Sequence, residues 1–350
     1  MQGEPILGPT AWTAADFPAK SSFSIALEAA ERAAARDRLA ALAGSRLAES
    51  SVEASHVATP GLEALVRRIR RELTDGRGFL VLGGLPIEGH DAATIGNFFL
   101  GLGLMMGKPV VQSPLGDRLG HVVDIAKPGE LERGYKSSVE LTAHTDSDDV
   151  VAMLCLRQAR AGGMTRLASA HSLYNALLAA HPEYLAPLYR GFAHHWFGEE
   201  APGEPPITAY RVPVLSWADG VLSVCHLRER CDMAAEADPR FAYSGLERAA
   251  LDEFDRLAAD PKFALEFRLE PGEAYFLNNY VLLHARTGFE NHAAPAERRH
   301  LLRLWLKLPG ARPVAEPVLR YYGADGIPVR PERTSTAYQG PLALESVRAI

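Results

Sequence analysis

Helical and strand-like hydrophobic patterns divide the chain into two textures. Residues 24–43 (SIALEAAERAAARDRLAALA) carry Ala and Leu at helical spacing with charges on the opposite face, and Gly44 is placed to stop that helix. The same reasoning predicts an amphipathic helix over about residues 61–74 (GLEALVRRIRRELT) and another over about 92–106. Between them, Gly78-Phe79-Leu80-Val81-Leu82 reads as a short buried strand, closed by the turn residues Gly83, Gly84 and Pro86.

From about residue 120 short strands separated by turns take over. They are predicted near residues 121–125, 149–157, 165–170, 191–197, 209–217 and 221–227, with Ala218-Asp219-Gly220 as the hairpin turn between the last two. A helical insertion at roughly residues 245–259 interrupts the series. Strands resume near 264–270, 273–278, 280–285 and 300–308, with a turn at Pro271-Gly272. This pattern predicts an α+β, mainly β fold of closed or sandwiched type, such as a jelly roll, with flanking helices and one helical insertion. The expected organisation is an N-terminal helical segment (residues 1–60), a β-rich domain (61–310) and a tail (311–350) packed on or near the core. There is no internal repeat and no low-complexity stretch.

Composition narrows the partners. With 350 residues, 47% hydrophobic and 23% charged, the chain has the balance of a globular protein and can bury a large core without staples. A net charge of −6 counts against a surface that tracks nucleic acid. Cys155, Cys225 and Cys231 are too few and too scattered for a disulfide framework or a zinc knuckle. Residues 1–18 lack a basic then apolar export signal, and no apolar run approaches the roughly 18–20 residues of a membrane span. The expectation is a cytoplasmic protein acting on a small molecule, with neither nucleic acid nor membrane as partner. A homo-oligomer is left open, because residues 1–60 suit a lid or a dimer contact equally.

Chemistry enters at His144-Thr145-Asp146. On an extended segment, residues i and i+2 point to the same side, so one imidazole and one carboxylate are offered together. A later His brought close by the fold would complete a two-His, one-carboxylate facial triad with open positions, as Fe(II) oxygen chemistry requires. Alone the motif is weak, since a polar surface turn gives the same letters. A second block strengthens it: Asn278-Asn279-Tyr280-Val281-Leu282-Leu283-His284-Ala285-Arg286-Thr287 places His284 at the end of an apolar strand. A third block, Arg298-Arg299-His300-Leu301-Leu302-Arg303-Leu304-Trp305-Leu306, puts Arg299, Leu301 and Arg303 on one strand face. Interior arginines are costly unless each meets an anion, either a dicarboxylic ligand or an internal Asp or Glu.

Together HTD (144–146), AGGMTRLAS (161–169), NNYVLLHARTGFE (278–290) and RRHLLRLWL (298–306) resemble, in order and approximate spacing, the TauD/TfdA-like family of Fe(II)/2-oxoglutarate dioxygenases. The likeness runs from about Gly78 to Leu308. It implies a double-stranded β-helix fold, with His144, Asp146 and His284 as iron ligands. It also implies Thr165 and Arg299 as anchors of the distal carboxylate of 2-oxoglutarate, Arg299 through a bidentate fork that Lys could not offer. Arg303 matches a family arginine that in some members faces an anionic substrate. The implied reaction consumes O₂ and 2-oxoglutarate, releases succinate and CO₂, and hydroxylates an unactivated C–H bond of a small molecule such as an amino acid or other carboxylate. Halogenating relatives replace the carboxylate ligand by a small residue, so Asp146 favours hydroxylation; desaturation, ring closure or epimerisation would use the same ligands.

One segment departs from the family pattern. Where relatives carry a segment like NAELPFHTD, this chain has Ser137-Ser138-Val139-Glu140-Leu141-Thr142-Ala143-His144, and the smaller Ser138 and Ala143 are expected to border the substrate pocket. Ser138, Glu140 and Arg303 are the candidate substrate contacts. Arg286 is expected to pair with Asp149 more than to line the pocket, and His194 and His195 to pack. Cys225-His226 points two ways along a strand and is set aside as a nucleophile–base pair. The glycines at 83–84, 101–103 and 162–163 lack nucleotide-binding spacing. The alternative function is a non-oxidative, cupin-like isomerase or hydrolase using the same His/Asp/His site, which would need no Thr165/Arg299 anchor. A ligand-binding sensor on the same fold is a third reading.

Overall fold

The computed structural model describes residues 3–125, 133–310 and 312–337. Strand β1 (Ser24–Ala26) leads into helices α1 (Ala29–Ser45) and α2 (Pro60–Thr74), then β2 (Phe79–Gly83) and α3 (Ala92–Met106). There follow β3 (Lys108–Pro109), β4 (Gly120–Val123), β5 (Leu141–His144), β6 (Val150–Arg157), β7 (Ala161–Gly162) and β8 (Thr165–Ser169). Next come α4 (Ala170–Ala180), α5 (Leu185–Arg190), the hairpin β9 (Leu215–Ala218) and β10 (Val221–Val224), α6 (Arg228–Ala237) and α7 (Gly245–Ala259). The chain closes with β11 (Ala264–Phe267), β12 (Ala274–Asn278), β13 (Leu282–Arg286), β14 (Phe289–Glu290), β15 (His300–Lys307) and α8 (Glu316–Tyr322).

Two sheets organise these elements. The larger runs β1-β2-β12-β6-β15-β3, with β4 also paired to β15; the smaller runs β11-β8-β13-β5. Only the β1–β2 pairing is parallel in these two sheets. Alternate residues of the larger sheet go to opposite sides. Leu80, Leu82, Ala152, Leu154, Phe276, Leu302, Leu304 and Leu306 pack under α1, α2 and α3. Phe79, Val81, Val151, Tyr275, Leu277, Leu301 and Trp305 instead meet Leu167, Leu265, Phe267 and Leu282 of the smaller sheet. The smaller sheet's far face, through Ala168 and Leu283, rests on α4, α5 and α7. The order is therefore helices, sheet, sheet, helices, and the unbroken apolar run of β2 is what burial on both faces demands.

Several boundaries differ from expectation for identifiable reasons. Residues 24–26 pair with Val81–Gly83 as a strand, so α1 begins five residues later than its Ala/Leu pattern suggests. Its N-terminus is fixed by Glu31, whose carboxylate accepts from the Glu28 N–H at 2.8 Å. Gly44 lies within the helix, and the left-handed C-terminal residue is Arg46 (φ 51°). Residues 191–197 and most of 209–217 form only isolated bridges, Phe192 to Val212 and His195 to Ile207. Positive φ at Gly191, Phe197 and Gly198, and prolines at 202, 205, 206 and 213, interrupt any ladder there. Helices α4, α5 and α6 were not expected, whereas α7 and the Asp219–Gly220 hairpin loop match. That loop has φ 47° and 79°, the left-handed pair of a two-residue type I′ turn. In the tail, α8 buries Val318 and Tyr322 against the core. Residue 311 and residues 338–350 lie outside the described residues.

Candidate metal and cosubstrate site

His144 ends β5 and pairs across the ladder with His284 of β13. Directly opposed residues share a face, so the two imidazoles lie side by side with ring centroids 4.3 Å apart. The next residue turns away. Thr145 donates its N–H to the His226 carbonyl at 2.8 Å, and its Oγ1 accepts from the His226 N–H at 2.9 Å. Asp146 therefore returns to the side of His144. Its Oδ1 is 4.0 Å from His144 Nε2, and its Oδ2 is 3.5 Å from His284 Nε2. One ligand atom from each of the three residues falls within 4.8 Å of the others, the single such group among the described residues.

Neighbouring groups orient this set. His144 Nδ1 lies 2.8 Å from the Thr142 carbonyl, which fixes the proton there and leaves the Nε2 lone pair for a metal. Asp146 Oδ2 accepts from Trp305 Nε1 at 2.8 Å and from Arg303 Nη1 at 3.2 Å, leaving Oδ1 available. Asn279, fully buried, clamps the turn itself. Its Oδ1 accepts from the Asp146 N–H at 2.9 Å, and its Nδ2 donates to the carbonyls of Asp146 (2.6 Å) and Asp148 (3.0 Å).

Electrostatics favour the ligating forms. Burial, helped by His284, pulls the His144 imidazole down to about 4, so it is neutral at neutral pH. Burial opposes the charge on Asp146, but Arg303 and the two imidazoles outweigh it and hold the carboxyl well below the usual range. Two imidazoles and one carboxylate on one side of a cavity are the donor set of a two-His, one-carboxylate metal site, and they fit a divalent iron.

Beside them opens a cavity of about 130 Å³, lined among others by Thr165, Tyr275, Arg286, Arg299 and Arg303. Arg299 is buried, and its Nε and Nη1 have no hydrogen-bond partner. An unpaired buried guanidinium calls for an anion, and a carboxylate ligand fits it. Burial lowers Arg299 to about 10, so it stays charged at neutral pH. Arg303 gives Nε to Gln112 Oε1 at 2.8 Å and lies between Tyr135 and Trp305, its carbon 4.5 and 4.4 Å from their ring centroids. Only its Nη2 is left without a partner. Arg303 thus supports Asp146 directly, which the sequence reading did not foresee.

The other expected contacts fall elsewhere. Glu140 is exposed and pairs with Arg166 at 3.0 Å. Ser138 offers its backbone carbonyl to the Phe289 N–H at 3.0 Å, and neither residue lines the cavity. Ala143, alternating with His144, packs on the helical side of the smaller sheet. The smaller side chains in this segment therefore do not enlarge the pocket. Asp149 accepts from the Leu308 N–H at 2.6 Å rather than pairing with Arg286, which lines the cavity. His194 and His195 are buried, as expected of packing residues. Sequence reasoning missed Arg133, Tyr135 and Arg230, which also line the cavity. It also missed the clamp by Asn279, which sits in the turn between β12 and β13.

The fold and this donor set fit a mononuclear non-haem metal site beside a pocket suited to a carboxylate. Residues 43–305 match the family described as "Taurine catabolism dioxygenase TauD, TfdA family". The chain is 32% identical to FR-33289 synthase of Streptomyces rubellomurinus over 88% of this chain and 92% of that protein. It is 29% identical to the taurine hydroxylase-like protein SAT17 of Stachybotrys chartarum over 84% and 77% of the two chains. Among solved structures it resembles asparagine oxygenase in complex with Fe(II), 3-hydroxyasparagine and succinate (TM-score 0.63, 21% identity, 88% of this chain and 99% of that one). It also resembles the non-haem iron oxygenase OrfP in complex with Fe and α-ketoglutaric acid (TM-score 0.56, 16% identity, 81% and 94%). This chain belongs to the TauD/TfdA family and is an Fe(II)- and 2-oxoglutarate-dependent dioxygenase that uses O₂. No helix among the described residues is long and apolar enough to cross a membrane.

Proposed function

We propose that His144, Asp146 and His284 hold the iron, and that Arg299 with Thr165 holds the distal carboxylate of 2-oxoglutarate. The two facing sheets then form the double-stranded β-helix of the family, with the ligands on the inner face of the smaller one. Bound there, iron and 2-oxoglutarate supply the oxidation of a C–H bond by O₂, with succinate and CO₂ as coproducts. The chain's own residues give geometry and charge. Trp305, Arg303 and Asn279 keep Asp146 ionised and aimed, the Thr142 carbonyl sets the His144 tautomer, and apolar neighbours such as the buried Leu301 and half-buried Met153 restrict water.

The substrate is a small molecule, an amino acid or other carboxylate, and hydroxylation is the favoured outcome. Similar solved structures of asparagine oxygenase and OrfP hold a hydroxylated amino acid. An anionic substrate suits Arg303 Nη2 and Arg230 Nη1, both buried without partners on residues that line the cavity. A cytoplasmic location fits the three free cysteines, all buried.

The observation that carries this reading is the convergence of the three ligand atoms within 4.8 Å of one another. The test is an anaerobic titration with Fe(II) and then 2-oxoglutarate, reading the visible charge-transfer band of the chelate. The band is expected in the wild type, absent in His284→Ala, and to need much more 2-oxoglutarate in Arg299→Ala. Bound iron with no band at saturating 2-oxoglutarate would overturn the reading in favour of a non-oxidative metal enzyme.

A further inference from the structure

The cavity contains a second buried arginine that the proposed site does not use. Arg286 stands two residues after His284 on β13, and its ladder partner on β8 is Thr165. Residues opposed across a ladder share a face, as do residues two apart on a strand. Arg286 therefore points to the side of the sheet that carries His284 and Thr165. Its guanidinium lies 4.7 Å from the centroid of the Phe289 ring, and that of Arg299 lies 5.0 Å from the same centroid. One aromatic side chain thus brings two guanidinium groups to one corner of the cavity.

That corner is short of negative charge. Nε and Nη1 of both arginines are buried without partners, which leaves four unmatched donor atoms. The remaining Nη2 of Arg286 donates to the Val139 carbonyl, a neutral acceptor. Asp124, the acidic side chain whose charge reaches Arg286, accepts from Asn291 at 3.0 Å and forms no ion pair with it among the described residues. Two unneutralised cations in one buried corner repel each other unless an anion lies between them. A carboxylate offers about four lone-pair sites on two oxygens, enough to accept from two guanidinium groups and a threonine hydroxyl.

We propose that Arg286 is a second cationic anchor for the distal carboxylate of 2-oxoglutarate, gripping it jointly with Arg299 and Thr165. This rests on the cosubstrate pocket assigned above. Arg286 is then a cosubstrate-binding residue, and Phe289 is the spacer that sets the separation of the two guanidinium groups.

The experiment compares dissociation constants, read from the anaerobic charge-transfer band on the Fe(II)-loaded protein, for 2-oxoglutarate and 2-oxopentanoate. The latter has the same carbon chain with a methyl group in place of the distal carboxylate. Arg286→Gln is expected to weaken 2-oxoglutarate roughly 10- to 100-fold, the range for a charge-assisted contact, while leaving 2-oxopentanoate within about twofold of wild type. Arg286→Lys, which keeps the charge but not the fork, is expected to fall between. Unchanged 2-oxoglutarate binding in Arg286→Gln, with Arg299→Ala strongly weakened in parallel, would overturn this inference and leave the cosubstrate pocket standing. An equal loss for both ligands would also overturn it, by showing that Arg286 supports the sheet rather than the carboxylate. Failure of the wild type to bind 2-oxoglutarate with iron in place would remove the pocket itself.

Discussion

Replacing Asn279 by alanine tests whether the turn that carries the proposed ligand Asp146 is held from behind. This side chain satisfies three backbone groups at once, the Asp146 N–H at 2.9 Å and the carbonyls of Asp146 and Asp148 at 2.6 and 3.0 Å. All three belong to a buried turn in which Asp148 takes a left-handed conformation, φ 70°. Alanine removes every partner and leaves one donor and two acceptors inside the protein. At roughly 1–3 kcal/mol for each group left unmade, offset in part by water entering the space, the expected loss of stability is about 3–5 kcal/mol.

The fold should survive, because Thr145 still pins the same segment to His226 on its other side. What should suffer is the aim of Asp146. Groups that orient a metal ligand typically contribute about 10- to 100-fold in metal affinity, and that is the expected weakening of Fe(II) binding here. Urea denaturation of the metal-free protein would give the stability change, and anaerobic Fe(II) titration the affinity. A loss below about 1 kcal/mol together with wild-type iron affinity would refute the clamp and show that β5 and β13 hold the turn unaided.

Trp305→Phe keeps an aromatic ring beside Arg303 but removes the 2.8 Å bond to Asp146 Oδ2; about tenfold weaker Fe(II) binding is expected in a competition titration, and unchanged affinity would reduce Trp305 to packing. His171 lies far from the metal set in the chain, with Nδ1 2.8 Å from Thr10 Oγ1 and Nε2 3.1 Å from the Leu222 carbonyl. Burial pulls it to about 4, against about 6.5 when unfolded. The folded state therefore binds fewer protons between those values, so stability is full above pH 6.5 and falls as pH drops toward 4, by about 3 kcal/mol from this residue. Urea midpoints measured from pH 7.5 to 4.5 should show a shallower acid decline in His171→Gln, and parallel curves for the two proteins would contradict the assignment.

The cluster of His144, Asp146 and His284, proposed as the metal ligands, could be read from sequence because its geometry is local. The His144–Asp146 spacing follows from strand alternation, and His284 announces itself as a lone imidazole at the end of an apolar run. The shared face of Arg299, Leu301 and Arg303 is likewise set by alternation, and all three line the cavity. What could not be read depends on which strand lies opposite which. Arg303 reaches Asp146 only because β15 sits beside β6 in the larger sheet, while Asp146 follows β5 of the smaller one. Its expected role against a substrate anion therefore shrinks to one free nitrogen. Ala143 misled for the converse reason: adjacency to His144 in sequence places it on the opposite face of the strand. Residues 191–197 and 209–214 misled because β-branched and aromatic letters there sit among glycines and prolines that stop a ladder after one bridge. Arg286 combines both cases. Its position two residues from His284 was enough to aim it inward, but only the pairing with Thr165 shows that it arrives where Arg299 already waits for an anion.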